Sequence, residues 1–319
     1  MTDQKIKYDP SCMDDYDPSS MDAQIAQQHI LHAINSITET ETVAIRDALN
    51  RVVAEDIRST INVPSHTNSA MDGYAIRSRE IPSEQTKQFK LAGTAWAGRP
   101  FKGSINDNEC IRIMTGAAMP ADTDTVVMQE HVQVNNELIT IDSKQKANQN
   151  VRQAGEDIGE GELVFTSGKL LNPSDIGLIA SLGIGEIKVV RKLRVAFFST
   201  GDELVSIGTP LEVGQIYDSN RYTLWSMLTR IGVEINDLGV VRDTPEAVEA
   251  AFLEASENAD IVITSGGVSV GDADFVKETL EKLGEVNFWK VAMKPGRPLA
   301  FGKINNAYFF GLPGNPVSV

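Results

Sequence analysis

The chain has 319 residues, 41% of them hydrophobic, with a formal net charge of −15 and a pI near 4.7. That length suits two or three domains of an ordinary globular protein, and that charge argues against general binding to nucleic acid or to an anionic membrane surface, leaving room only for a local basic pocket. Two separated cysteines, Cys12 and Cys110, fit neither a disulfide framework nor a zinc cluster, no apolar run reaches membrane-spanning length, and the polar, acidic N-terminus is no signal peptide, so a cytoplasmic protein with reduced thiols is expected.

Residues 1–20 hold Asp3, Asp9, Asp14, Asp15 and Asp17 with Pro10 and Pro18, and no hydrophobic period: a flexible tail. Ser19 and Asp22 then make a capping-box-like start to a helix with an apolar stripe at Ala26, Ile30, Ala33, Ile34 and Ile37. A short strand at 43–45, a short helix at 47–49 and an extended exit at 51–57 follow. From Ser59 to Asn150 short apolar runs alternate with turn signals such as Asp72-Gly73 and Asn135-Asn136, the texture of a small all-β domain. Residues 151–192 carry a glycine-rich start, a helix from Pro173 to Leu182 and a strand at Ile187–Val190. They are expected to pack back on 21–58 as a linking α+β domain, which makes 59–150 an insertion.

From Leu193 onwards strands alternate with helices, so 193–319 reads as a doubly wound, mostly parallel α/β domain. Its strands are expected at 195–198, 233–240, 261–264, 286–291, 299–303 and 307–310. In such sheets ligands bind beyond the carboxyl ends of the strands. The loops there are Ser199–Glu203, Arg242–Pro245, Ser265–Asp274, Lys290–Pro298 and Gly311–Pro316, and they concentrate acids, glycines, prolines and basic residues. The central one begins with a β-branched run, Ile261–Thr264, then Ser265-Gly266-Gly267, then Gly271-Asp272-Ala273-Asp274, then a helical pattern. Uncovered amides near a helix start hold phosphate, and paired carboxylates hold a hard cation. It is neither a dinucleotide fingerprint nor a Walker A loop. Taken alone, it could be a tight turn whose aspartates cap a helix.

Seven stretches decide between these readings: Asn68-Ser69-Ala70-Met71-Asp72-Gly73-Tyr74-Ala75, Ile113-Met114-Thr115-Gly116-Ala117, Arg152 with Gly155-Glu156-Asp157, Ser199-Thr200-Gly201-Asp202-Glu203-Leu204, Ser265–Asp274, Lys294-Pro295-Gly296-Arg297-Pro298, and Gly311-Leu312-Pro313-Gly314-Asn315-Pro316-Val317. In this order they resemble the molybdopterin molybdenumtransferase family, the MoeA type that includes the E domain of gephyrin. The resemblance runs from about Met21 to the end and makes the α/β domain one of the molybdopterin-binding type. It implies insertion of molybdenum from molybdate into adenylylated molybdopterin, with Mg²⁺ assisting and AMP released. It also implies a homodimer whose site is shared between one subunit's α/β domain and the other's β domain, and contact with the adenylyltransferase of the pathway.

Carried over by similarity, the catalytic set is Asp72, Thr115, Glu203, Asp243, Asp274, Lys290 and Lys294, with Glu203, Asp243 and Asp274 as the Mg²⁺ carboxylates; Asp272 is the weaker acid of its loop. Arg152, Asp157, Ser265, Gly266, Gly267, Ser269, Arg297, Pro313 and Pro316 fall on the substrate side, the two prolines chiefly by shaping their loop. Two other functions remain open at this level. One is adenylyl transfer to molybdopterin, whose family has a threonine and a further glycine where this chain has Val268 and Ser269. The other is a non-catalytic scaffold of the same fold. Finally, Asn315-Pro316 announces a helix, yet only three residues follow. In the resembling family that helix and a small β domain continue the chain, so a truncated α/β domain is expected.

Overall fold

The computed structural model describes residues 20–266, 275–293, 296 and 298–318. They fall into two compact units, 1–39 with 190–319 and 40–189. The expected tail lies outside the described residues, apart from Ser20. No helix among the described residues is long and apolar enough to cross a membrane.

Helix α1 (Ala23–Ala33) is capped by Asp22, whose carboxylate accepts the N–H groups of Gln24 (2.8 Å) and Ile25 (3.3 Å). Ser19, the other residue of the expected box, lies outside the described residues. The helix is stapled to the α/β unit rather than to the linking segment. Met21 exchanges backbone hydrogen bonds with Lys290 and Ala292 (2.7 Å each). The Tyr308 hydroxyl accepts the Asn35 N–H (2.8 Å) and donates to the Ala33 carbonyl (3.1 Å). The segment expected to pack with 151–192 therefore divides. Residues 40–58 do join it: Ala48, Val53, Ile57, Leu171, Ile179, Ile187 and Val189 share one core.

Within 40–189 a six-stranded mixed sheet is built from β1 (Gly73–Ile76), β2 (Thr86–Ala95), β3 (Glu109–Ile113), β4 (Thr125–Met128), β5 (Val132–Asn135) and β6 (Leu138–Asp142). Its order is β4-β1-β3-β2-β6-β5. Both faces are apolar, one around Phe89, Ile139 and Ile141, the other around Ile111, Ile113 and Val126. Gly73 opens β1 between β3 and β4, where a Cβ would lie 2.1 Å from the Val127 carbonyl oxygen. Its place is inside the sheet, so the glycine answers a close backbone approach rather than a turn. Helix α2 (Pro173–Ser181) starts with the capping box of Asn172 and Asp175.

The second unit's sheet comprises β7 (Arg194–Thr200), β8 (Glu234–Val241), β9 (Ile261–Ser265), β10 (Gly284–Lys290), β11 (Pro298–Ile304) and β12 (Ala307–Leu312) in the order β8-β7-β9-β12-β11-β10. The first four are parallel, and β11 and β10 extend the sheet antiparallel. Helix α3 (Ser219–Ile231) covers one face through Leu224 and Leu228 on Val195 and Phe197. Helices α4 (Pro245–Asn258) and α5 (Phe275–Leu283) cover the other, where Phe198, Phe252 and Phe309 stack edge to face. The sheet is doubly wound and mostly parallel, as expected. Because two antiparallel steps separate β10 from β12, β10 ends at the same edge as β9 and β12. At the chain's end Pro316–Ser318 forms a single 3-10 turn.

At the opposite, amino edge, Arg191 organises the start of the sheet. Its guanidinium donates to both Asp260 oxygens (2.7 Å each) and to the Glu39 carboxylate, and the Arg194 N–H completes Asp260 (2.8 Å). Arg191 holds the Asp260 carboxyl below the usual carboxylate range, chiefly through these hydrogen bonds. The pair therefore stabilises fully above the ordinary aspartate pKa of about 4 and fades as pH falls through Asp260's depressed value. Replacing Arg191→Met should cost about 2 kcal/mol near neutral pH, because a part-buried carboxylate loses its cation. Urea unfolding at pH 7 and at strongly acidic pH should show that deficit at the first and a much smaller one at the second; an equal deficit at both would rule out the ion pair as its cause.

Candidate active site

The loop ends at the carboxyl edge of β7, β8, β9 and β12 enclose a cleft of about 400 Å³. Thr200, Gly201 and Glu203 line it after β7, Asp243 after β8, Ser265 and Gly266 at the end of β9, and Pro313, Gly314, Asn315 and Pro316 after β12. Strand pairing brings these loops together. Ser265 stands opposite Leu312 in the β9–β12 ladder, and the Gly266 N–H donates to the Leu312 carbonyl (3.0 Å). Gly266 has φ +95°, and a Cβ there would sit 2.6 Å from the Thr200 carbonyl oxygen, so the turn requires glycine.

A residue that sequence reasoning missed ties the floor. Asn220, in the first turn of α3 and buried, donates from Nδ2 to Ser265 Oγ (2.8 Å) and to the Gly314 carbonyl (2.9 Å). Its neighbour Asp218 caps α3 by accepting the Arg221 N–H (3.1 Å) and also lines the cleft. The signal was available in Asp218-Ser219-Asn220: an aspartate before a helix is a cap, and asparagine is a weak helix former that needs another reason to be there.

The acidic wall is electrostatically tense. The Asp243 N–H donates to Asp202 Oδ1 (3.3 Å). Asp243's own carboxyl is pushed above the usual range, first by burial and then by the negative charges of Asp202 and Glu203. Repulsion of this kind is what a hard dication relieves. Among the described residues, however, no three His, Cys, Asp or Glu side chains are already arranged around one metal position.

In the other unit three of the sequence stretches converge. Ser69 exchanges backbone bonds with Gly116 and Ala117, and Asn68-Ser69 pairs antiparallel with Val151-Arg152. Asp72 Oδ1 accepts both the N–H (2.7 Å) and the hydroxyl (2.8 Å) of Thr115, which hold its carboxyl below the usual range. Arg152 is engaged by Glu156 (3.2 Å) and by Asp157, so those two expected substrate residues neutralise one another. Lys290 ends β10 at the carboxyl edge but does not line the cleft. Gly267, Ser269, Asp272, Asp274, Lys294 and Arg297 lie outside the described residues. Cys110 is buried in the β unit, its thiol pushed up to about 12 chiefly by burial.

A family model described as "MoeA N-terminal region (domain I and II)" matches residues 21–183, and one described as "Probable molybdopterin binding domain" matches residues 196–319. A molybdopterin molybdenumtransferase from Haemophilus influenzae is 50% identical over 294 residues, which cover 92% of this chain and 72% of that protein. The chain belongs to the molybdopterin molybdenumtransferase (MoeA) family. The family's enzyme from Nostoc sp. is 37% identical over 309 residues, covering 95% of this chain and 71% of that one. Two solved structures of the molybdopterin biosynthesis MoeA protein from Pyrococcus horikoshii superpose with TM-scores of 0.80 at 34% and 28% identity, covering 94% of this chain and 76% and 75% of theirs. The MoeA fold, with its mixed β part and mostly parallel α/β part, is thus the fold of this chain.

The raised Asp243 carboxyl has a measurable consequence. A carboxyl whose folded pKa is raised binds its proton more tightly folded than unfolded, so stability falls as pH rises through its titration range. Asp243→Asn should therefore raise the unfolding midpoint of the ion-free protein at pH 7 by a small amount, on the order of 1–2 °C. At about pH 3, where carboxylates are protonated, it should raise it by nothing. A midpoint lowered at pH 7 would mean that Asp243 is held by attraction rather than repulsion.

Proposed function

We propose that the chain inserts molybdenum from molybdate into adenylylated molybdopterin, releasing AMP and giving molybdenum cofactor. The observation that carries the reading is the cleft itself. Glu203 and Asp243 share it with the bare Gly266 turn and the Pro313–Pro316 loop, at the carboxyl edge of the α/β sheet. Family membership supports it over adenylyl transfer, as do Val268 and Ser269 after the paired glycines.

The chain's residues divide the work by charge. The Gly266 turn packs directly on the Thr200 backbone, which holds the ends of β7 and β9 together at the cleft. Glu203 and Asp243, with Asp274 by similarity, would hold Mg²⁺, and the raised Asp243 carboxyl fits that donor set. When bound, Mg²⁺ supplies neutralisation of phosphate charge. Lys290, Lys294 and Arg297 would hold molybdate or phosphate through charge-assisted hydrogen bonds. Asp72, kept ionised by Thr115, contributes a fixed negative charge from the β unit. Its separation in sequence from the α/β loops supports a homodimer in which each site takes Asp72 and Thr115 from the other subunit. The compartment is the cytoplasm, and the pathway's adenylyltransferase is a contact partner.

Purified protein given adenylylated molybdopterin, molybdate and Mg²⁺ should release AMP and yield molybdenum cofactor. ATP consumption with free molybdopterin would point instead to adenylyl transfer, and tight ligand binding without turnover to a scaffold. Asp72→Asn and Asp243→Asn should each reduce turnover by about 10²-fold or more, the scale of losing a charged group at a reacting centre. Verified heterodimers of the two variants should regain up to half of wild-type activity per dimer, since one of their two sites is intact. Heterodimers as inactive as the parents would refute the shared site.

A further inference from the structure

Asp218 has two carboxylate oxygens with different fates. One caps α3 by accepting the Arg221 N–H. The other, Oδ2, is buried and meets no donor among the described residues, although the residue is only 3% exposed and lines the cleft. A buried carboxylate oxygen left without a donor is costly, and the cap is fully served by its sister oxygen. The helix start alone would therefore be met by serine or asparagine, and the second oxygen needs a separate explanation.

The chemistry of that oxygen restricts its partner. It accepts hydrogen bonds and repels anions, so phosphate and molybdate belong elsewhere in the cleft. Asp218 follows at once on Ile216-Tyr217, which pair with Leu204-Val205, and Leu204, Ile216 and Tyr217 line the cleft beside it. That is an apolar wall suited to the uncharged part of a ligand. We propose that Asp218 is a substrate-binding residue of this cleft, its Oδ2 accepting a hydrogen bond from a neutral N–H or O–H donor of the substrate. Resting on the function proposed above, that donor is either a ribose hydroxyl of the adenylate or the amide and amino edge of the pterin. Asp218 thereby orients the uncharged end of the molecule while the acidic and glycine loops deal with its phosphates.

Two variants test this in the full chain. Asp218→Asn keeps the capping oxygen and turns a donor toward the substrate's donor; Asp218→Ser keeps a cap and removes the second oxygen. Neither should lower the unfolding midpoint, since the cap is kept and a buried oxygen without a donor is removed or neutralised. Both should raise KM for adenylylated molybdopterin by about tenfold to a hundredfold, the range for a hydrogen bond to a charged group, while kcat and the KM for molybdate stay within about threefold. Calorimetry separates the two sources. With a ribose donor, the wild type binds AMP at least about tenfold more tightly than 2′,3′-dideoxy-AMP, and Asp218→Ser closes that gap. With a pterin donor, AMP binding is unchanged in the variants and binding of tetrahydropterin falls. A folded variant with unchanged KM, or one that binds both probes as the wild type does, overturns the proposal. A wild-type protein that does not turn over adenylylated molybdopterin overturns the functional reading instead, and the two probes then judge Asp218 by themselves.

Discussion

The parallel pairing of β9 with β12 is the constraint on which the candidate site depends. These strands are separated in sequence by α5 and two antiparallel strands, yet Ile261–Ser265 runs in register with Tyr308–Leu312. The register places the Gly266 turn beside Gly314, and a Cβ on Gly314 would lie 3.5 Å from the Gly266 Cα. Asn220 then fastens both loops to the start of α3 through one buried amide. An amide with two donor hydrogens suits a junction of this kind, because each proton is used and none is left unpaired in the interior.

Packing on the two faces of the sheet makes that edge rigid enough to carry charge. The aromatic layer of Phe198, Phe252 and Phe309 fixes α4, and with it Asp243 in the turn just before α4's first residue. Leu224 and Leu228 fix α3, and with it Asp218 and Asn220. The carboxylates of Asp202, Glu203 and Asp243 can then be held close together despite their repulsion, a local strain characteristic of sites built for a cationic or reacting partner. The amino edge is stabilised in the opposite manner. There Arg191 is matched by Asp260 and Glu39, so charge is satisfied within the protein.

The β unit presents its expected residues differently. Asp72 and Thr115 form one hydrogen-bonded pair just before a strand whose first residue must be glycine. Arg152, Glu156 and Asp157 form an internal ion cluster. A guanidinium already holding two carboxylates offers less to an incoming phosphate than the same residue would in isolation, so its contribution is the shape of the loop next to Asn68-Ser69 as much as its charge.

Much of this protein was legible before any coordinates. Strand and helix periodicity located the alternating elements of 193–319, since a buried parallel strand must be continuously apolar and a covering helix must carry a stripe. Motif order identified the family, and the carboxyl-edge rule pointed to the loops that line the cleft. Local pattern could not reveal how distant segments pair. Nothing in residues 21–37 says that their helix belongs to the α/β unit, because that depends on a bridge from Met21 to Val291 and a hydrogen bond to Tyr308. That Asp157 and Glu156 both stand against the Arg152 guanidinium is likewise visible only in the folded loop. Asn220 and Asp218 look like helix-start residues until β9 and β12 bring Ser265 and Gly314 to one and folding buries the other's second oxygen. A sequence determines which groups a residue carries, whereas its partners are set by contacts between residues far apart in the chain, and those exist only once the sheet has formed.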